Sequence, residues 1–175
     1  ARPGARSRAR SLVTSFYVWT IGCQMNAADS RRASSSLAGL GMELAPRAED
    51  ADLIVLNTCV VRQSAEDKAT GRISSLKSVK RRRPEARIVV MGCLVHDDLP
   101  ALQRQFPHVD AFLRPSDVDG LVAWARDLQQ GDGEARTAPS PAMPVSAYVP
   151  VMHGCDHHCT YCIVTLRRGP GHSLP

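Results

Sequence analysis

Short apolar runs alternate with amphipathic stretches between residue 15 and about residue 130. Four runs have the length and the apolar content of strands: "SFYVWT" (15–20), "ADLIVLNTC" (51–59), "RIVVMGC" (87–93) and "VDAFL" (109–113). Between them, apolar residues recur every three or four positions, which is typical of helices with one buried face. Strands that alternate with helices form a parallel sheet covered on both faces. The pattern therefore predicts a doubly wound α/β domain over residues 15–130.

Residues with capping side chains indicate where the helices begin. The first, third and fourth helices are expected to be capped by Asn26, by Asp97 or Asp98, and by Ser116. The second helix is expected to be long and to end before Pro84, because the residue before a proline disfavours helical geometry. Its apolar stripe consists of Ala65, Ala69, Ile73 and Leu76.

Composition divides the chain into four parts. Residues 1–14 are rich in arginine and are expected to form a basic disordered tail. Residues 131–145 are rich in glycine and proline and read as a linker. A strand at 146–152 then opens a second domain in residues 146–175. The net charge of +5 permits a polyanionic partner, and the absence of any run of about 18 apolar residues predicts no membrane span.

Three cysteines, Cys23, Cys59 and Cys93, are far apart in the sequence, and we call them the scattered set. Each follows the carboxyl end of a predicted strand, and these ends open on one edge of a parallel sheet. A disulfide framework is typical of small secreted domains and does not suit a chain with a full α/β core. A single cysteine of this kind is most often a packed core residue. Three at equivalent strand ends favour a shared metal or cluster site.

The other three cysteines, Cys155, Cys159 and Cys162, lie together in "HGCDHHCTYC" (153–162), and we call them the compact set. The spacing C-x3-C-x2-C can bind three irons of a cubane and leave the fourth iron free for a small molecule. A zinc ion completed by His153, His157 or His158 is the alternative, although zinc modules usually bring their ligands as two separated pairs. An uncoordinated loop is a further alternative.

Together these motifs resemble the methylthiotransferases, a family of radical S-adenosylmethionine enzymes. "GCQMN", "LNTCVVRQSAEDK" and "MGCLV" are similar to their flavodoxin-like N-terminal domain, and "GCDHHCTYCIV" to the start of their radical domain. The resemblance runs from about residue 15 to the end and includes all six cysteines. "NTCVVRQSAEDK" is closest to the branch that modifies isopentenylated adenosine next to the tRNA anticodon.

The resemblance implies two [4Fe-4S] clusters, the first held by the scattered set and the second by the compact set. The second would bind S-adenosylmethionine, with Tyr161 beside its adenine, and generate a radical that acts on C2 of the target adenine. The first would carry the sulfur that becomes the methylthio group. Asn26, Asn57 and Thr58 match strand-end motifs and either support the first cluster or serve as polar turn residues. The partners implied are tRNA, an electron donor and a sulfur source, for a cytoplasmic monomer.

The chain departs from the family after Cys162. The family usually has a proline, an Arg-Gly pair and Ser-Arg-Pro, whereas this chain has Thr165, then Arg168 and Gly169, and then "SLP" (173–175). Most of the radical barrel is missing from the sequence, so we expect a truncated chain that is poorly packed after about residue 145 and does not catalyse. The alternatives are another modified adenosine or a ribosomal protein as substrate, and a non-catalytic metal-binding or RNA-docking fragment.

A basic run in "KSVKRRRPEAR" (77–87) is the densest cationic segment of the chain. It could contact tRNA phosphates through salt-dependent attraction, or it could be a solvated helix end, where cations are favoured by the helix dipole. The candidate contacts are Lys77, Lys80, Arg81, Arg82 and Arg83.

Overall fold

The structure is a computed structural model that describes residues 13–129 and 148–173. Most of the predicted basic tail (1–14) and the whole predicted linker (131–145) lie outside the described residues. No helix within the two described ranges is both long and apolar enough to cross a membrane.

A five-stranded parallel sheet forms the centre of residues 13–129. Its strands are β1 (Ser15–Thr20), β2 (Glu43–Leu44), β3 (Leu53–Thr58), β4 (Arg87–Gly92) and β5 (Ala111–Leu113). They are ordered β2-β1-β3-β4-β5, and every pairing is parallel. This is the strand order of a flavodoxin-like doubly wound sheet, in which the direction of winding reverses between β1 and β3. The predicted fold class is confirmed.

Helices cover both faces of this sheet. They are α1 (Gln24–Gly39), α2 (Gln63–Ser75), α3 (Lys77–Arg82), α4 (Leu99–Gln105) and α5 (Val118–Gln129), together with a short 3-10 turn at Ala48–Asp50. All six residues of β3 are buried, so its two faces supply separate cores. Ile54 and Leu56 pack in one core with α2, α3 and α4, and Leu53 and Val55 pack in the other with α1 and α5. Burial on both faces explains why β3 is a continuous apolar run.

Three sequence-based details were wrong. The expected long helix is divided at Leu76 into α2 and α3. Asn26 does not cap α1, since Cys23 occupies the N-cap and Asn26 is buried inside the helix. Ser116 does not cap α5, because it adopts a left-handed conformation (φ 64°) and Asp117 Oδ1 accepts the N–H of Gly120 instead. The cap predicted at Asp98 is confirmed, as its carboxylate accepts the N–H of Ala101.

Residues 148–173 form a small second unit. Its elements are β6 (Met152–His153), α6 (Val164–Arg168) and β7 (His172–Ser173), with β6 and β7 antiparallel. The expected strand at 146–152 is reduced here to its last residue, Met152, with residues 146–147 outside the described range. Gly154 (φ 73°) lies so close to the carbonyl of Pro170 that a Cβ there would overlap it. This close approach fixes the start of the cysteine loop against the chain that follows α6.

Candidate functional site

The scattered set lies at the carboxyl edge of the sheet. Cys23 is exposed at the N-cap of α1, three residues beyond the end of β1, whereas Cys59 and Cys93 are buried directly after β3 and β4. β1 and β3 are the strands between which the winding reverses. In sheets of this type ligands bind outside the carboxyl ends of the strands at that switch point. The fold therefore places Cys23 and Cys59 where a doubly wound domain has its binding crevice, and Cys93 at the end of the neighbouring strand β4.

Cys23 and Cys59 line the same cleft. It has a volume of about 400 Å³, and its wall also includes Gly22, Val61 and Arg62. Gly22 has φ 143°, and a Cβ at this position would lie 2.7 Å from the Cβ of Cys59. Only glycine allows the turn after β1 to approach the turn after β3 this closely. The cleft is large enough for an inorganic group held by these two turns.

The third thiol, Cys93, is within electrostatic reach of the other two. Burial raises the pKa of Cys93 above its ordinary value, and the nearby Cys59 and Cys23 thiols add to this rise. The guanidinium of Arg168 opposes the increase through its charge and a hydrogen bond to the thiol. Metal ions and iron–sulfur clusters bind cysteine as the thiolate, so a bound metal would favour the charged form of Cys93 that burial disfavours.

A buried polar network holds the three strand ends together. Asn26 donates to Asn57 Oδ1 (2.9 Å) and to the carbonyl of Thr58 (2.8 Å). Asn57 in turn donates to the carbonyl of Asn26 (2.9 Å) and to the hydroxyl of Ser30 (3.0 Å). Thr58 Oγ1 donates to the carbonyl of Met91 (2.7 Å), next to the end of β4. Fully paired polar groups in a core are rigid, so the network fixes the positions of the turns that carry the thiols.

The same network reaches the thiols themselves. Cys23 Sγ donates to Asn26 Oδ1 at 3.3 Å, and Cys59 Sγ accepts the N–H of Val61 at 3.5 Å. The sequence indicated Asn26, Asn57 and Thr58 as neighbours of the site. Ser30 was not recognised, because a serine inside a polar helix gives no signal until the helix is packed.

The donor set of each candidate site consists of three cysteine thiols, the ligand type that iron–sulfur clusters use. Within residues 13–129 and 148–173, no three His, Cys, Asp or Glu side chains are placed to share one metal ion. A tetrahedral zinc with bonds of about 2.3 Å needs its sulfur ligands about 4 Å apart. A cubane instead binds each thiolate to a different iron, so its ligands do not converge on one point. His153, His157 and His158 likewise form no single-ion group with the compact set.

The compact set lies on the loop between β6 and α6. Cys159 is exposed, Cys155 and Cys162 are half-buried, and all six cysteines of the chain are free thiols. The N–H of Cys162 donates to the carbonyl of Cys159 (3.0 Å), and the N–H of Cys155 donates to the carbonyl of Gly169 (3.2 Å). Tyr161 is 89% exposed, so its ring is open to a ligand approaching the loop.

The basic run is at the other edge of the sheet. Lys80 pairs with Asp110 (2.8 Å), just before β5, and Arg83 pairs with Asp52 (2.7 Å), just before β3. Both charges are thus paired inside the domain, which makes Lys80 and Arg83 weaker candidates for RNA contact than their exposed neighbours. Lys77, Arg81 and Arg82 are exposed and remain candidates. They lie at the amino-terminal edge, opposite the scattered set.

Arg168 and Asp29 are the site residues that sequence reasoning missed. In the sequence Arg168 stood out only as part of an Arg-Gly pair, and Asp29 did not stand out. Their side chains are 7% and 1% exposed, and the two form an ion pair of 3.4 Å. The pair joins residues separated by most of the chain, which no local pattern can indicate.

The fold and the two cysteine sets define the class of protein, an α/β domain with thiols at its switch point followed by a cysteine loop. A family model described as "Uncharacterized protein family UPF0004" matches residues 15–114, more than half of the chain. The chain therefore belongs to this family.

Curated relatives extend the similarity beyond that domain. Proteins of Herpetosiphon aurantiacus, Chloroflexus aurantiacus and a Roseiflexus species are 42%, 43% and 41% identical to this chain. Each comparison covers 91% of this chain but 37%, 35% and 34% of the relative, so the chain spans about a third of their length. Each relative is named tRNA-2-methylthio-N(6)-dimethylallyladenosine synthase. The resemblance to the methylthiotransferases is confirmed.

Among solved structures, the BeF3-activated receiver domain of DrrB has a TM-score of 0.44 and 16% identity, over 67% of this chain and 97% of that one. This likeness is too weak to bear on function.

Proposed function

We propose that this protein takes part in the methylthiolation of tRNA at C2 of N6-dimethylallyladenosine (isopentenylated adenosine) next to the anticodon. The names of the relatives support this substrate, and they give no support to a ribosomal protein or to a non-catalytic fragment. The observation that carries the proposal is that Cys23 and Cys59 line one cleft at the switch point of the sheet, with Cys93 at the end of the adjacent strand β4. A tRNA substrate implies work in the cytoplasm, and we propose a monomer.

Two [4Fe-4S] clusters are the cofactors of the proposal. The scattered set would hold the first, and the compact set the second, which also binds S-adenosylmethionine. When bound, these groups supply the reductive cleavage of S-adenosylmethionine and the sulfur that is transferred, with electrons and sulfur from external donors. The protein supplies thiolates, spacing and protection from water.

The two sets differ in how far they exclude water. Cys59 and Cys93 are 3% and 4% exposed, so the chain shields that side of the first site. Cys159 and Tyr161 are open to solvent, so a small molecule can reach the second site directly. Asn26, Asn57 and Thr58 would keep the turns of the first site in place, through the network described above.

Anaerobic reconstitution with iron and sulfide tests the proposal. We expect a brown protein with about eight irons per chain, four for each cubane. Changing Cys23, Cys59 and Cys93 together to alanine should reduce the iron to about four per chain, as should the corresponding change of the compact set. Iron analysis and electron paramagnetic resonance of the reduced protein measure the two sites separately.

The matched control changes His157 and His158 to alanine together. Both are exposed neighbours of the compact set, and this variant should keep its iron. Iron that stays unchanged in the scattered-set variant would contradict the first site. A wild-type chain that retains zinc and takes up two irons or fewer would contradict both sites.

A further inference from the structure

Arg168, at the end of α6, is buried against the domain formed by residues 13–129. Its guanidinium lies 2.8 Å from Ser116 Oγ, 3.4 Å from Asp29 Oδ2 and 3.5 Å from Asn26 Oδ1. Burial raises the pKa of Cys93, and the charge of the same guanidinium opposes this rise. One side chain of the second unit thus contacts α1 and the turn after β5, and acts electrostatically on a cysteine of the scattered set.

The receptor for this guanidinium is built by the first domain. Ser116, held in a left-handed conformation, donates its hydroxyl to Asp29 Oδ2 at 2.9 Å. The Asp29 carboxylate is 1% exposed, and its other oxygen has no partner among the described residues. An ionised carboxylate in such a place is costly unless a cation pairs with it. Arg168 supplies that cation from a position 139 residues further along the chain.

The residue after Arg168 is tied to the compact set. The carbonyl of Gly169 accepts the N–H of Cys155 at 3.2 Å. The turn at Gly154 packs directly against Gly169 and Pro170, with no space for a side chain. Whatever fixes Arg168 therefore also fixes the start of the cysteine loop.

We propose that Arg168 is a positioning residue that docks the unit carrying the compact set onto the edge carrying the scattered set. Its planar, forked guanidinium can contact Ser116, Asp29 and Asn26 at once, which a lysine ammonium on a flexible stem cannot reproduce. The reason for bringing the two cysteine sets together rests on the proposed function. The docking itself rests only on the contacts of Arg168. The tests below use the iron-free chain, so their failure would leave the cluster assignment untouched.

The test compares Arg168→Leu with Arg167→Leu. Arg167 is the adjacent arginine on α6 and makes none of these contacts, so it is the matched control. Alkylation followed by tryptic mass spectrometry reports Cys23, Cys59 and Cys93 on three different peptides. We expect Arg168→Leu to increase the alkylation rate of Cys93 and the hydrogen exchange of residues 148–173 on the order of tenfold, because docking no longer closes over them. Exchange in the β3 and β4 amides should stay as in the control.

Two further variants separate docking from a general loss of fold. Asp29→Asn, which keeps the shape of the side chain, should give a similar increase in the alkylation of Cys93 and in the hydrogen exchange of residues 148–173. The double variant with Arg168→Leu should show little further increase, because both substitutions act on one contact. Arg168→Lys should restore part of the protection. If Arg168→Leu does not fold, the same measurements are made on Ser116→Ala, for which we expect a smaller increase in Cys93 alkylation and hydrogen exchange. Equal rates in the Arg168→Leu and Arg167→Leu variants, or fully additive effects of Asp29→Asn and Arg168→Leu, would overturn the proposal.

Discussion

The two cysteine sets are assembled in different ways. The compact set is local, with three thiols inside eight residues on a loop whose shape depends on Gly154 and a few backbone hydrogen bonds. The scattered set is brought together by the tertiary structure, since each thiol depends on a different strand end and on the network of Asn26 and Asn57. A locally encoded site withstands loss of the surrounding fold better than one that the sheet assembles.

The largest expected effect comes from Gly92→Ala at the end of β4. Gly92 has φ 98°, and a Cβ there would overlap the carbonyl of Thr58 and lie 2.6 Å from Asn57 Oδ1. Since neither neighbour can move without breaking the network, we expect a loss of about 3 kcal/mol or more in the free energy of unfolding. Chemical denaturation followed by circular dichroism measures it.

The control for this change is Gly71→Ala in α2. Gly71 has no atom within 4 Å of its would-be Cβ and lies inside a helix, so alanine should stabilise the domain by up to about 1 kcal/mol. Equal effects of the two substitutions would mean that the strand-end contact does not limit stability.

Asn57→Ala tests whether the scattered set depends on the polar network more than the compact set does, and it removes no cysteine. It leaves the carbonyl of Asn26 and the hydroxyl of Ser30 without their donor, at a cost of about 2–3 kcal/mol. We expect reconstituted iron to fall towards half, because the scattered set loses its geometry while the compact set keeps its own. Gln63→Ala, an exposed amide at the start of α2, is the control and should leave iron unchanged. An equal loss from both sites would contradict the proposed difference between them.

Substitution of Asp52 should have a smaller effect on the free energy of unfolding. Its carboxylate joins the starts of β1 and β3 to Arg83. Burial acts to raise the pKa of Asp52, but hydrogen bonds from Thr14, Ser15 and then Arg83 outweigh it and hold the pKa below its ordinary value of 3.8. A carboxylate whose pKa is lowered by folding stabilises the fold above that ordinary value. This contribution is lost as the pH falls from about 4 through the lower pKa of the folded state.

Asp52→Asn should therefore cost about 1 kcal/mol near pH 7 and flatten the acid limb of the stability curve. Denaturation midpoints measured between pH 7 and pH 3 show both effects. Asp119→Asn, in the first turn of α5, serves as the control on a carboxylate outside this cluster. If the loss of stability at low pH is the same in Asp52→Asn as in the wild type, Asp52 does not cause that loss.

The smallest effect on stability is expected at the basic edge. Arg81→Glu and Arg82→Glu should change the free energy of unfolding by less than about 0.5 kcal/mol, since both side chains are exposed. If the two arginines contact tRNA phosphates, each substitution should weaken binding to all RNA sequences alike. It should also reduce the slope of log affinity against log salt concentration by about one. Filter binding at several salt concentrations measures this, with the exposed Arg126→Glu on α5 as control. Equal slopes in wild type and variants would place tRNA elsewhere.

The basic edge also constrains how tRNA could be bound. It faces away from the scattered set, so contacts at Arg81 or Arg82 would hold the body of the tRNA and not the reacting adenosine.

Local sequence features predicted some parts of this molecule and not others. The strands were predictable because β3 and β4 are unbroken apolar runs, and the cap at Asp98 because its partner is three residues away. Edge strand β2 was missed, since a strand of two exposed residues is too short to show an apolar pattern. Asn26 and Ser116 were misread as caps because the same polar side chains serve equally well in long-range hydrogen bonds.

The compact set, the alternation of strands and helices, and the position of each scattered cysteine just after a strand are all readable from residue spacing. Spacing needs no knowledge of which elements pack together. The reversal of winding between β1 and β3, the pairing of Lys80 and Arg83 inside the domain, and the contact of Arg168 with Asp29 become visible in the folded chain alone. Pairing of distant charges depends on burial, and burial is a property of the folded chain.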